Sequence, residues 1–124
     1  MSPTILVADD EPNIVISLEY LLRREGYTVL IARDGQEALD TITRDKPDLV
    51  LLDVMMPKKT GFEVCQEVRA LDALQGVKIL MLTAKGRDTD VAKGLALGAD
   101  AYMTKPFATR ELVEKVADIL QRAA

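Results

Sequence analysis

Five polar residues that could take part in chemistry stand where short apolar runs of the sequence end. Asp9 ends the run TILVAD and is followed by Asp10, Asp53 ends DLVLLD, Thr83 ends KILMLT, and Lys105 follows AYMT. Each residue alone has an ordinary structural interpretation, such as a helix cap for Asp10 or a turn residue for Asp53. Four separate runs that end in carboxylates, a hydroxyl and an ammonium group favour one shared site instead.

The chemistry of this set points to a divalent cation and a phosphoryl group. Clustered carboxylates raise one another's pKa unless a cation neutralises them. Their oxygens suit Mg²⁺, which binds through one or two carboxylates and leaves room for a phosphate oxygen. Lys105 could neutralise an added anion, and Thr83 could donate a hydrogen bond to it. These parts describe phosphoryl transfer with a carboxylate nucleophile, for which Asp53 is the candidate.

The apolar runs alternate with stretches of helical period. The runs are almost continuously apolar, which is typical of strands covered by helices on both faces. The predicted strands are residues 4–9, 27–32, 48–53, 78–83 and 101–104, and the predicted helices are 11–25, 35–45, 88–97 and 109–122, with another beginning after Thr60. This alternation predicts an α/β fold of (βα)5 type, doubly wound around a five-stranded parallel sheet.

Polar residues and glycines mark the predicted helix ends. Asp10 is the expected N-cap of the first helix, with Pro12 in its first turn. Two later helices begin with capping-box spacing, and glycines follow two helices where the chain returns to a strand. These residues are Asp34 with Glu37, Thr60 with Glu63, and the glycines Gly26 and Gly98.

Length and composition narrow the class of protein. The 124 residues suit a single domain, 1–124, with no effector domain, and 48% of them are apolar. No run reaches the ~18 apolar residues of a membrane span, and the first residues lack the features of a signal peptide. The net charge of −4 gives no general attraction to nucleic acid or anionic lipid, so we expect neither as a direct partner. The single cysteine cannot form a disulfide within the chain, which fits a reducing cytoplasm. The absence of histidine excludes histidine-based sites on this chain.

Four motifs in order resemble those of the receiver domains of two-component response regulators, the CheY-like family. They are LVADDE, LLDVMMPKKTGFEVC, MLTA and AYMTKPF, and together the resemblance covers essentially the whole chain. It implies a flavodoxin-like sheet with strand order 2-1-3-4-5, in which ligands bind beyond the carboxyl ends of the strands.

The resemblance also implies roles for the acidic residues. Asp53 becomes the acceptor of a phosphoryl group from a phosphohistidine on a sensor histidine kinase or a phosphotransfer protein. Asp10, Asp53 and the backbone carbonyl of Met55 would bind Mg²⁺, while Asp9 would act mostly through bound water. The chain would catalyse only its own phosphorylation and dephosphorylation, so it is not expected to be an enzyme in the ordinary sense.

For the remaining motif residues the resemblance implies a switch. Thr83 and Lys105 would contact the phosphoryl oxygens, and the Lys105–Pro106 bond would be cis. Thr83 would move toward the phosphate and Tyr102 would turn inward behind it. The movement would change a surface formed by the fourth helix, fifth strand and fifth helix, and so reach an unidentified downstream effector.

Other positions concern the lifetime of the phosphorylated state and the formation of a dimer. The resemblance implies that Met55 and Lys85 flank the path of the hydrolytic water, so we expect them to set the lifetime of the phosphorylated state. The last third of the chain resembles the subfamily attached to winged-helix DNA-binding domains, which dimerises through helix 4, strand 5 and helix 5. The charged pairs of that dimer are present only in part here. The departures are Val91, Ala96, Ala101 and Lys115. That dimer is therefore not carried over, and a stand-alone or isolated receiver, monomeric or dimerising on phosphorylation, is favoured.

Two rival functions remain open at this stage. An Mg²⁺-dependent phosphohydrolase with an aspartyl-phosphate intermediate would normally need an acid two residues after the nucleophile, where this chain has Met55. A degenerate receiver that acts only as an interaction module would not need the complete set of polar residues.

Cys65 lies on the apolar face of a predicted helix and is expected to be a buried structural thiol.

Overall fold

A computed structural model describes residues 2–84 and 87–122, and within them helices and strands alternate as the sequence predicts. Five parallel strands of this described part form one sheet in the order β2-β1-β3-β4-β5, which confirms the (βα)5 prediction and its flavodoxin-like order. The strands are β1 Thr4–Ala8, β2 Thr28–Ala32, β3 Leu49–Asp53, β4 Lys78–Ala84 and β5 Ala101–Lys105. The helices are α1 Pro12–Arg24, α2 Gly35–Asp45, α3 Gly61–Arg69, α4 Asp88–Ala96 and α5 Thr109–Arg122, with a 3₁₀ turn at Asp72–Leu74.

The sheet is buried on both faces. Strand β3 lies at its centre, paired with β1 on one side and β4 on the other, and all five of its residues are buried. Side chains of β3 alternate between two apolar clusters, Val50 and Leu52 joining α2 and α3, and Leu49 and Leu51 joining α1 and α5. Every side chain of β3 before the terminal Asp53 therefore stabilises the strand that carries this carboxylate.

Two of the three expected helix caps form. Asp34 accepts a hydrogen bond of 2.8 Å from the backbone N–H of Glu37 at the start of α2. Thr60 and Glu63 make the reciprocal bonds of a capping box at the start of α3. The prediction for Asp10 is wrong, because α1 begins at Pro12 with Glu11 at the N-cap position and no side-chain cap. Asp10 instead shares a cluster with two other carboxylates.

The observed ends of helices and strands lie within a few residues of the predicted ones. Gly26 and Gly98 follow α1 and α4 with φ of 93° and 110°, a conformation that other residues rarely adopt. Strand β1 stops one residue before Asp9, although the Asp9 N–H still bonds to the carbonyl of Ala32 at 3.1 Å. Cys65 is fully buried on α3, as expected. In the two described stretches, the helices are too short or too polar to cross a bilayer.

Candidate functional site

Three carboxylates meet at the carboxyl edge of the sheet. Strands β1 and β3 are neighbours, so Asp9 and Asp10, just beyond β1, come close to Asp53 at the end of β3. One oxygen from each of the three carboxylates lies within 4.8 Å of the other two. Asp9 and Asp53 are buried, whereas Asp10 is exposed at the mouth of a cleft of about 470 Å³.

Glycine at position 61 lets helix α3 start directly against the acceptor strand. A side chain there would overlap the backbone carbonyl of Asp53 and approach the Cα of Val54 to 3.0 Å. The Gly61 N–H donates to the carbonyl of Val54 at 2.8 Å, which closes the loop between β3 and α3 at its base. Asp53 is thus fixed by the strand before it and the closed loop after it.

Lys105 brings a cation into the cluster from the end of β5. Its Nζ lies 2.7 Å from Asp9 Oδ2, 3.3 Å from Asp53 Oδ1 and 3.9 Å from Glu11 Oε1. Burial alone would lower the pKa of Lys105, but the hydrogen bond to Asp9 and the charge of Asp53 outweigh it, so the pKa is raised. Lys105 therefore stays charged at neutral pH. The Lys105–Pro106 peptide bond is cis.

One lysine does not neutralise three carboxylates. Burial, followed by the charge of Asp9, raises the pKa of Asp53 from 3.8 to about 6. Lys105 and a hydrogen bond from the Met55 backbone oppose this rise but do not cancel it. Deprotonated Asp53 is therefore held in an environment that favours additional positive charge.

The donor atoms fit a hard divalent cation. The three carboxylates each bring one oxygen within 4.8 Å of the other two, close enough for them to hold one cation together, directly or through water. The ligands are carboxylates without sulfur or imidazole, which favours Mg²⁺ over softer metals. Asp10 and Asp53 could bind the ion directly, and the mouth of the cleft leaves space for water and an anion.

Thr83 places a buried hydroxyl at the carboxyl edge of the sheet, where the three carboxylates lie. It follows Leu82, which pairs with Asp53 across β3 and β4, and only 1% of its surface is exposed. Among the described residues, no group forms a hydrogen bond with its Oγ1. A buried hydroxyl without a partner lowers the stability of the fold by about 1–3 kcal/mol. The presence of threonine here is therefore consistent with a hydrogen-bond acceptor that arrives from outside the chain.

Two further predicted residues, Met55 and Tyr102, are exposed in the structure. Met55 lines the cleft and is 67% exposed, and Tyr102 on β5 is 43% exposed, so its ring is not turned inward here. Lys85 lies outside the described residues, and its effect on lifetime stays a prediction. The role of the Met55 carbonyl as a ligand also stays a prediction.

Two residues at the start of α4 were missed by the sequence reasoning. Arg87 and Asp90 line the cleft, and Arg87 Nε lies 3.1 Å from Asp90 Oδ2. They follow Thr83 by four and seven residues, but no local pattern distinguishes them from surface charges. A helix beginning beside the end of β4 was the available signal, since its first turn must face the same edge of the sheet.

Comparison with known proteins identifies the family to which the chain belongs. Residues 5–117 match the family described as response regulator receiver domain. The chain is 51% identical over 123 residues to the alkaline phosphatase synthesis transcriptional regulatory protein PhoP of Bacillus subtilis, covering 99% of this chain and 50% of the relative. The chain thus spans about half the length of that curated relative.

Solved structures agree in fold over almost the whole chain. A CheY-like response regulator receiver domain protein from Methanospirillum hungatei superposes with a TM-score of 0.92 at 32% identity, covering 99% of this chain and 97% of that one. The receiver domain of a sensor histidine kinase from Pseudomonas aeruginosa, solved with magnesium in its active site cleft, gives 0.89 at 30% identity, covering 98% and 99%. The chain belongs to the response regulator receiver domains of two-component systems, which are signalling switches rather than conventional enzymes.

Proposed function

We propose that Asp53 accepts a phosphoryl group from a phosphohistidine on a sensor histidine kinase or a phosphotransfer protein. The observation that carries this proposal is the surroundings of Asp53. Its buried carboxylate ends the central strand, 3.3 Å from the Lys105 ammonium and beside the hydroxyl of Thr83, which has no hydrogen-bond partner among the described residues. A nucleophile, a cation and a hydrogen-bond donor are the groups that phosphoryl transfer to a carboxylate requires.

The transfer step moves one phosphoryl group. A carboxylate oxygen of Asp53 forms the new O–P bond while the P–N bond of the donor breaks, and the bonding electrons remain on the imidazole nitrogen. Lys105 neutralises the phosphoryl oxygens, and Thr83 Oγ1 donates a hydrogen bond to one of them. Water later cleaves the acyl phosphate, so the phosphorylated state is temporary.

We propose Mg²⁺ as the cofactor, held by Asp10, Asp53 and the carbonyl of Met55, with Asp9 acting mostly through water. When bound, the ion supplies positive charge that neutralises the carboxylates and the transferring phosphoryl oxygens. The donor set of the cleft supports this assignment, as does the magnesium ion in the cleft of the Pseudomonas aeruginosa receiver domain.

The output of the switch is proposed to be the surface of α4, β5 and α5. Thr83 would move toward the phosphoryl group, and Tyr102, now partly exposed, would turn inward behind it. The name of the Bacillus subtilis relative, a transcriptional regulatory protein, supports transcription as the downstream process. A cytoplasmic location, and a choice between monomer and phosphorylation-dependent homodimer, stay predictions.

Acetyl phosphate tests the chemistry directly. The chain is incubated with this donor with and without Mg²⁺, and intact mass is compared for the native protein, Asp53→Asn and the control Asp72→Asn. We expect one added phosphoryl group that requires Mg²⁺ and is absent only in Asp53→Asn. An adduct on Asp53→Asn would refute the assignment of the acceptor.

The same experiment separates the rival functions. Absence of any adduct on a native protein that binds Mg²⁺ would favour a module that signals by contact alone. Continuous release of phosphate at a high rate, without accumulation of the adduct, would favour a phosphohydrolase. Met55 is two residues after Asp53 and has no proton to transfer, which disfavours the second alternative.

A further inference from the structure

The loop of residues 54–60, called the acceptor loop here because it follows Asp53, is fastened to the turn that precedes α2. The backbone N–H of Gly35 donates to the carbonyl of Pro57 at 3.1 Å. The Nζ of Lys58 lies 3.6 Å from Asp34 Oδ2. A backbone hydrogen bond and an ion pair therefore join the outer end of the acceptor loop to a segment outside the site.

This junction leaves no room for a side chain at position 35. A Cβ atom built on Gly35 would overlap the carbonyl oxygen of Lys59 and lie only 2.6 Å from its carbonyl carbon. These atoms belong to the backbone, so rotation of a side chain cannot relieve the overlap. Gly76 differs, because its ideal Cβ has no heavy atom within 4 Å and its φ is not in the left-handed region.

The acceptor loop has little freedom to absorb such a displacement at its base. The Val54 N–H donates to Leu82 of β4 at 3.1 Å, and the Val54 carbonyl accepts the Gly61 N–H at 2.8 Å. Lys58 already adopts φ of 70°, which limits the conformations open to the outer end. A shift of Lys59 would therefore reach the segment between the two anchored ends, which contains Met55.

We propose that Gly35 is a positioning residue for the acceptor loop. By lacking a side chain, it lets the loop seat against α2 and so sets where the backbone of Met55 lies relative to Asp53. The proposal rests on the proposed function, in which the Met55 carbonyl helps to hold Mg²⁺. Gly35 acts only through the loop.

The test compares Gly35→Ala with Gly76→Ala. Mg²⁺ affinity is measured by isothermal titration calorimetry, and amide hydrogen exchange of residues 54–60 is measured in EDTA. We expect the Mg²⁺ dissociation constant to rise about tenfold in Gly35→Ala only, as for other residues that orient metal ligands indirectly. Exchange should accelerate in the acceptor loop of that variant, and adduct formation from acetyl phosphate should recover at saturating Mg²⁺.

Equal Mg²⁺ affinity in the two folded alanine variants would overturn the proposal, because α2 rather than the acceptor loop would then have moved. Failure of the proposed function gives a different result, since the native protein and Gly76→Ala would then take up no phosphoryl group.

A second pair of variants, with smaller structural changes, tests the proposal if Gly35→Ala does not fold. Lys58→Ala removes the ion pair with Asp34, and Lys46→Ala is its control, because Lys46 also has a positive φ, of 46°. We expect Lys58→Ala to raise the Mg²⁺ dissociation constant about twofold, the effect of a weak surface ion pair. Identical dissociation constants in these two variants would overturn the proposal.

Discussion

Replacing Asp53 with asparagine is expected to stabilise the metal-free protein at neutral pH. Asp53 is 7% exposed, and burial, followed by the charge of Asp9, raises the pKa of its carboxyl group from 3.8 to about 6. Lys105 offsets only part of this rise. Asparagine keeps the shape of the side chain and removes the charge, so it relieves the cost of ionising a buried acid.

The magnitude follows from the two pKa values. A folded-state pKa of about 6 against 3.8 costs the native carboxylate about 3 kcal/mol of stability at pH 7.5. Because the folded pKa is the higher one, stability is fully present below pH 3.8 and is lost as the pH rises through 6. The gain from Asp53→Asn should therefore shrink to about 1 kcal/mol at pH 4.5.

Urea unfolding in EDTA, followed by far-UV circular dichroism, measures this effect at the two pH values. With an m-value of about 2 kcal/mol/M, the midpoint of Asp53→Asn should lie about 1.5 M urea above that of the native protein at pH 7.5. Asp72→Asn, which changes an exposed aspartate, is the control and should shift the midpoint little at either pH.

Mg²⁺ provides a second check on the same reasoning. The ion should stabilise the native protein strongly and Asp53→Asn weakly, because the variant lacks one of the proposed ligands and needs less compensating charge. A midpoint for Asp53→Asn equal to or below the native value at pH 7.5, or a gain that does not change with pH, would refute the account based on burial and repulsion.

Three further variants test other parts of the site. Thr83→Val should leave metal-free unfolding unchanged or slightly stabilised, because the buried hydroxyl has no described partner, yet shorten the life of the adduct followed by intact mass. Lys105→Met should lower the free energy of unfolding in EDTA by about 3 kcal/mol, because it leaves the buried Asp9 unpaired, and Mg²⁺ should restore much of this loss in urea titrations. The double variant Met55→Asn, Lys85→Glu should change the decay rate of the adduct, and an unchanged rate would count against their role in lifetime.

Local patterns in the sequence determined the alternation of strands and helices and indicated which residues stand at the ends of the strands. Continuous apolar runs such as LVLL require burial on both faces, and helical stretches between them supply the cover, so the parallel sheet follows from hydrophobic period alone. Residues at strand ends, such as Asp53 and Lys105, could be assigned to one edge because parallel strands end together. The strand order itself came from resemblance to a family, since period does not specify which strands pair.

Tertiary structure decided the features that depend on distances between segments far apart in sequence. Asp10 lies near two carboxylates instead of capping a helix, and Thr83 has a hydroxyl without a described partner. Arg87 reaches the cleft from the position just before α4. The packing of Gly35 against Lys59 is of the same kind, because the sequence does not show which segment fills the space beside the first residue of α2. Residue type and spacing fix what each segment prefers by itself. Pairing of strands and contact of loops then set which groups share charge, space and hydrogen bonds.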